Sequence, residues 1–177
     1  KSNVTIQLEE GAILVGTTSV YDYIGIDGVK ALIVAENQEN TGITGKGVIE
    51  GQGTALMNNI KIQIQKGYLN ETPAQSSPML IYMKGCSNVT IDQINMWDAC
   101  EDIQSYKECK KLNISKVSIK SNSIPESKGI LLSGCDGVIL TGIYFNTSGK
   151  ELICDGTSKN VSLVNCKNEN GKTIKSK

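Results

Sequence analysis

The chain is 177 residues long, enough for one domain with a sizeable core, and its eighteen basic and eighteen acidic residues cancel. No global field draws it to nucleic acid or a membrane surface, and no run of about 18 apolar residues offers a bilayer span. Histidine and arginine are both absent, which removes imidazole acid–base chemistry, histidine metal ligation and the bidentate guanidinium fork; no metal and no cofactor are expected.

Ser2-Asn3-Val4-Thr5-Ile6-Gln7-Leu8 alternates apolar and polar residues and reads as a strand. Glu9-Glu10-Gly11 is a turn and Ala12–Val15 the next strand. Tyr21–Lys30, with Gly25 and Gly28, reads as a loop leading into a strand over Ala31–Ala35. Gly45–Gly53 is dense in glycine, as expected where a chain bends sharply, and lacks the lysine–serine ending of a phosphate-binding loop. Leu56, Ile60 and Ile64 recur every four residues between Thr54, a candidate N-cap, and Gly67, a stop. That spacing predicts a short helix over 55–66, packed on the side of the fold. Tyr68–Ser77 is a polar loop, and Pro78-Met79-Leu80-Ile81 returns to strand.

From residue 87 the chain repeats itself. Ser87-Asn88-Val89-Thr90-Ile91, Lys110-Lys111-Leu112-Asn113-Ile114, Asp136-Gly137-Val138-Ile139-Leu140 and Lys159-Asn160-Val161-Ser162-Leu163 superpose without gaps, starting 23, 26 and 23 residues apart. Each of the first three is followed by a second alternating apolar pair: Ile94/Met96, Val117/Ile119 and Ile143/Phe145. A period in the twenties signals a solenoid, and a slip in period-two phase signals a corner between short strands. The second motif position holds Asn88, Lys111, Gly137 and Asn160, and earlier Asn3 and Asn40. Asparagine and glycine sharing a column point to positive φ. No helix-forming run separates the strands, so the reading is an all-β parallel β-helix of about seven coils in one domain, 1–177. Both ends present a bare strand without a capping element, which predicts end-to-end self-association.

Six cysteines occur, with no C-x-x-C pair. Cys86, Cys109 and Cys135 each close a coil just before the next motif and are expected to stack as free thiols in small interior sites.

Ser2–Thr5 with Leu8–Ala12, Ile43-Thr44-Gly45-Lys46-Gly47-Val48-Ile49-Glu50-Gly51-Gln52-Gly53, and Cys86-Ser87-Asn88-Val89-Thr90-Ile91 resemble the polygalacturonase family, the twenty-eighth family of glycoside hydrolases. The resemblance implies a right-handed, pectin lyase-like β-helix, hydrolysis of pectin-type chains with inversion, and an extracellular or periplasmic setting. It covers nearly all of this chain and about half of a usual member; the family's N-terminal cap and last coils have no counterpart in it. The family's site lies on successive coils as Asn-Thr-Asp-Gly, Gly-Asp-Asp and Gly-His-Gly. Here those places read Glu126-Ser127-Lys128-Gly129, Gly149-Lys150-Glu151 and Gly171-Lys172-Thr173.

In the register counted from the repeats, Glu151 falls over Lys128 and under Lys172, an alternating column of charge that neutralises itself. The resemblance and the column together suggest a catalytically impaired polygalacturonase-like scaffold. Lys128, Lys150 and Lys172 are then candidate contacts for an acidic, pectin-type polysaccharide, with Tyr106 or Trp97 stacking on its sugar rings. A rearranged hydrolase is the alternative, with Asp102 and Glu151 as acid and base: two strand spacings put them roughly 9.6 Å apart, at the upper edge of the 6.5–9.5 Å or so that inversion uses. A structural segment of a longer chain is the third reading. Asp98, Glu101 and Asp102 form either a weak calcium site or a polar turn.

Overall fold

A computed structural model describes residues 1–175 of the chain. Three six-stranded sheets run along the molecule; the four middle coils contribute one strand to each, while the first coil gives the third sheet a hairpin of two and the last coil gives it none. The first sheet carries the repeat motif and includes Glu39–Thr44, Ser87–Asp92, Lys110–Ser115, Asp136–Thr141 and Lys159–Val164. The second includes Val48–Glu50, Asn95–Trp97, Ser118–Ser121 and Tyr144–Thr147. The third includes Val29–Glu36, Met79–Lys84, Gln104–Lys107, Ile130–Ser133 and Leu152–Cys154. Pairing between these strands is parallel except at the hairpin described below, and a single antiparallel bridge joins Lys167 to Thr173. This is a parallel β-helix of six coils, one fewer than the period suggested, and parallel crossovers of this kind are right-handed almost without exception.

Stacking places like upon like. Ile43, Ile91, Ile114, Leu140 and Leu163 share one column of the first sheet; Ile49, Met96, Ile119 and Phe145 share one of the second. The buried members form a single continuous core. The corner column behaves as the asparagine–glycine pattern requires: Asn3, Asn40, Asn88, Lys111, Gly137 and Asn160 all have φ between 50° and 72°. The asparagines also join hands, Asn88 Nδ2 donating to Asn40 Oδ1 at 2.7 Å and Asn40 Nδ2 to Asn3 Oδ1 at 2.9 Å. Cys86, Cys109 and Cys135 are free and buried in successive coils. The neighbouring thiols of Cys135 and Cys86, together with burial, hold the Cys109 thiol far above its ordinary value.

The side helix α1 spans Gly53–Gln65 and buries Leu56 and Ile60 against Val20, Tyr23 and Cys100. Its N-cap is Gln52, not Thr54: Gln52 adopts φ 50° and sends Nε2 to the Gly16 carbonyl at 2.6 Å instead of capping the helix. Glycine is required at 53, because a Cβ there would lie 2.2 Å from the Ala99 carbonyl oxygen. Gly67, at φ 74°, ends the helix as expected. Two elements depart from the sequence reading. The expected loop Tyr21–Lys30 contains a strand, Ile24–Ile26, paired antiparallel with Val29–Glu36 across Asp27-Gly28. The polar loop after α1 contains α2, Pro73–Ser76, closed by a Thr72/Gln75 capping box.

Candidate functional site

The corner between the second and third sheets carries the residues singled out above. Gln104 pairs with Ile130 and Ile130 with Leu152. The backbone bonds continue that register, with Ile103 N donating to Lys128 O, Gly129 N to Lys150 O and Ile130 N to Glu151 O. The row along the sheet edge is therefore Asp102, Lys128, Lys150, and Glu151 stands beside Gly129. A Cβ on Gly129 would meet the Glu151 carbonyl oxygen at 2.4 Å, so only glycine fits there.

The expected column of Lys128, Glu151 and Lys172 is thus corrected by one residue. The repeat motif Asp136–Thr141 aligns with Lys159–Val164 at an offset of 23, whereas Ile130–Leu132 align with Leu152–Cys154 at 22. The additional residue lies in the turn after Cys154, and counting back from the repeat carries the error into the strand before it. Glu151 pairs with neither lysine. Its Oε1 accepts from Asn168 Nδ2 at 2.8 Å.

Lys128 is committed elsewhere. Its Nζ lies 3.2 Å from both carboxyl oxygens of Asp102, and its backbone N donates to Asp102 Oδ1 at 2.9 Å. Asp102 is 3% exposed. Tyr106 is fully buried between Met83 and Leu132 and donates its hydroxyl to Gln104 Oε1 at 2.6 Å, so the expected sugar-stacking role is withdrawn. Trp97 remains partly exposed. Lys150 and Lys172 do share a hollow, of about 730 Å³, with Glu151, Lys175 and the half-buried rung Leu152–Cys154. Among the described residues no three acidic or thiol groups converge as a metal would require.

Serines lace the same corner together. Ser127 Oγ, fully buried, donates to the Glu101 carbonyl and lies 3.0 Å from Ser121 Oγ, which in turn accepts from Ala99 N at 3.1 Å. Ser148 Oγ accepts from Ser127 N at 3.0 Å. Beside this lacework α1, α2 and the segment 123–128 border a second, open cavity of about 520 Å³, and Lys61, Glu101 and Glu126 are among the residues that line it. Burial, then the Asp102 charge, push the Glu101 carboxyl up to about 7 against the opposing pull of Lys128.

The Glycosyl hydrolases family 28 model matches residues 1–175. The chain belongs to that family. This family 28 chain is 42% identical to a Parabacteroides merdae protein provisionally named a glycosyl hydrolase, superposing with a TM-score of 0.92 over 97% of its own length and 77% of the other. It also superposes on the polygalacturonase of Erwinia carotovora ssp. carotovora (17% identity, TM-score 0.75, 94% of this chain and 50% of that one). The family 28 exopolygalacturonase of Yersinia enterocolitica gives 16% identity and a TM-score of 0.79, over 95% and 40%. At those identities the two likenesses speak for the fold alone, and the chain spans half or less of either enzyme. No curated protein matches it by sequence.

Lys61 carries no signal in the family 28 sequence, Glu126 and Ser127 stand out only as replacements in the family's first site motif, and Glu101 only in the cluster with Asp98 and Asp102. Lys61 and Glu126 line one cavity because α1 lies beside the corner, and no repeat spacing links residue 61 to residue 126. Glu101 could have been found by a simpler route: it lies on the same 26-residue step that relates Gln104 to Ile130, opposite Ser127.

Proposed function

We propose that this family 28 chain is a polysaccharide-binding β-helix in which the polygalacturonase reaction is impaired. The single observation that carries this is the row Asp102, Lys128, Lys150 at the sheet edge, with the one carboxylate in it held at both oxygens by Lys128. Inverting hydrolysis needs two carboxyl groups free to act as acid and base on either side of the scissile bond. A buried carboxylate held at both oxygens by an ammonium group is not free to take either part. Asp102 and Glu151 accordingly do not act as a pair: the first is tied to Lys128 and the second turns to Asn168.

Binding falls to the other lysines. Among the described residues, Lys150, Lys172 and Lys175 line one hollow with Glu151 as the single acidic group beside them, an arrangement that attracts the carboxylates of a polyuronate and weakens as salt screens it. The test is electrophoresis through a gel containing polygalacturonate, run beside a reducing-sugar assay on the same polymer. Retardation that falls with salt and is lost in Lys150→Ala/Lys172→Ala, with no release of reducing ends, is the expected result. Release of reducing ends that disappears in Glu151→Gln overturns the impairment; mobility unchanged by polygalacturonate overturns the binding.

A further inference from the structure

The outward face of the second sheet borders neither cavity, and it carries the chain's single tryptophan. The strands of that sheet also include Ile13–Val15 and Lys167–Asn168. Interior and exterior alternate along them as the pleat dictates. Met96, Ile119 and Phe145 are fully buried, while Trp97 and Tyr144 are 38% and 44% exposed. Ile13 and Val15 of the first coil are exposed on the same face. Trp97 pairs with Lys120 and Lys120 with Asn146, so Tyr144, two residues before Asn146, stands two rungs from Trp97 on the same side. Ordinary strand and residue spacings then put the two aromatic residues about 12 Å apart. Both belong to paired strands, so the sheet fixes that separation.

Four exposed apolar side chains on one rigid face mark an interaction surface, and what lies between them selects its occupant. Glu50 and Lys120 occupy the rungs on either side of Trp97, and Ser118 and Lys167 those on either side of Tyr144. A protein interface gathers its apolar groups at a centre from which lysine and glutamate are depleted; here polar rungs set the aromatic residues apart. A sugar ring is built to the same plan, with C–H bonds on its faces and hydroxyl groups round its rim. The electron-rich face of an aromatic ring attracts the C–H bonds, glutamate accepts from a hydroxyl, and lysine donates to one. The charge beside Trp97 is balanced: a uronate would lose to Glu50 what it gained from Lys120, whereas an uncharged sugar uses both. Glu50 is also the single acid among the outward residues of these strands. Glycoside hydrolysis needs two, so this face can hold a sugar chain without cleaving it.

We propose that the outward face of the second sheet is a binding platform for an uncharged polysaccharide. The chain lies across the strands from Trp97 to Tyr144, and Glu50, Lys120 and Lys167 bond to hydroxyl groups beside the two stacked rings. The separation of the aromatic residues selects an extended run of sugars over a monosaccharide, which would meet one of them alone. Neither Trp97 nor Tyr144 lines the lysine hollow, so the platform stands apart from it.

Because Trp97 is the only tryptophan, its fluorescence reports on this face directly. The probes are soluble xylan, mixed-linkage β-glucan and β-galactan, each titrated into the chain at low and at high salt, with polygalacturonate alongside. At least one uncharged polymer is expected to change Trp97 emission, and equally at both salt levels, since screening acts on charges and not on stacking. Tyr144→Ala keeps the fluorophore and removes an exposed ring; it should weaken that binding about tenfold. Lys150→Ala/Lys172→Ala should leave it intact. Unchanged emission with all three uncharged polymers overturns the proposal, as does a Tyr144→Ala affinity equal to that of the unaltered chain. Emission that responds to polygalacturonate alone assigns the face to acidic chains, and emission that shifts with protein concentration in the absence of polymer assigns it to a second copy; either result overturns the proposal too. Retardation by polygalacturonate turns on Lys150 and Lys172, and this titration on Trp97 and Tyr144, so the two readings fail separately.

Discussion

Lys128→Ala tests the ion pair on which the impaired-site reading rests. The Asp102 side chain is 4% exposed and its lysine partner 32%. Removing the ammonium leaves the carboxylate with the Lys128 backbone N–H as its remaining protein donor. Breaking a fully buried pair by deleting one partner costs about 3–5 kcal/mol. Lys128 is one-third exposed, and water can reach the vacated space, so the expected loss is smaller, about 2–3 kcal/mol. With a urea m-value of about 2 kcal/mol/M, the unfolding midpoint should fall by about 1–1.5 M. Asp102→Asn/Lys128→Met removes both charges and should recover at least half of the loss, since no uncompensated charge remains. Equilibrium urea denaturation followed by circular dichroism reads all the variants, and the Asp102→Asn single variant closes the cycle. A Lys128→Ala cost below about 0.5 kcal/mol, or a double variant less stable than both singles, would refute the reasoning.

Three further outcomes follow from the structure. Tyr106→Phe should destabilise the chain by about 1–3 kcal/mol, because Gln104 Nε2 already lacks a partner and its Oε1 would lose the tyrosine hydroxyl; retardation by polygalacturonate should be unchanged, and a change in mobility would return Tyr106 to the binding surface. Glu101 has its folded pKa raised from 4.5 to about 7, so the stability it lends is present below pH 4.5 and is lost as pH rises through 7. Glu101→Gln should therefore be the more stable protein at pH 8, by about 2 kcal/mol after screening, and the two unfolding midpoints should converge near pH 4. Of the six cysteines five are buried and Cys154 is half-exposed, so Ellman's reagent should titrate one thiol quickly in the folded chain and six in guanidinium chloride. Fewer than six in denaturant would mean that a disulfide joins the stack.

What the sequence disclosed is whatever repeats. The columns Ile91–Ile114–Leu140 and Asn88–Lys111–Gly137 recur at fixed steps because each rung must bury the same face and turn the same corner. Tyr106 was equally legible, since the 26-residue step puts it on Leu132, an interior position that denies its ring the sugar-stacking role expected of it. The hairpin turns at Asp27-Gly28, a strong short-range hairpin signal, but Gly25 in the strand before it weakens the alternation that marks a strand. What stayed hidden does not repeat. The residue added after Cys154 has no apolar partner to reveal it, and it moved Glu151 off Lys128. A four-residue helix such as α2 is too short to show periodicity.

The corners themselves divide the labour. Between the first and second sheets the links are short and alike, Gln93-Ile94, Lys116-Val117 and Gly142-Ile143, each pairing a left-handed residue with a core residue. A link of that kind has no room for chemistry, because its second residue belongs to the interior. Between the second and third sheets the links run over 51–78, 98–103, 122–129 and 148–151, unequal in length and rich in polar groups. Insertions there leave the stacking untouched, since both neighbouring strands keep their register whatever the loop does. Both helices, the Asp102–Lys128 pair, the serine lacework and the Glu101 cavity all lie on this one corner. The same freedom explains how polygalacturonases with 16–17% identity share the coil while this chain places a lysine where the resemblance leads one to expect an acid. Chemistry in such a fold belongs to one unrepeated edge, where a side chain can change its charge, as at Lys128, without disturbing a single core column.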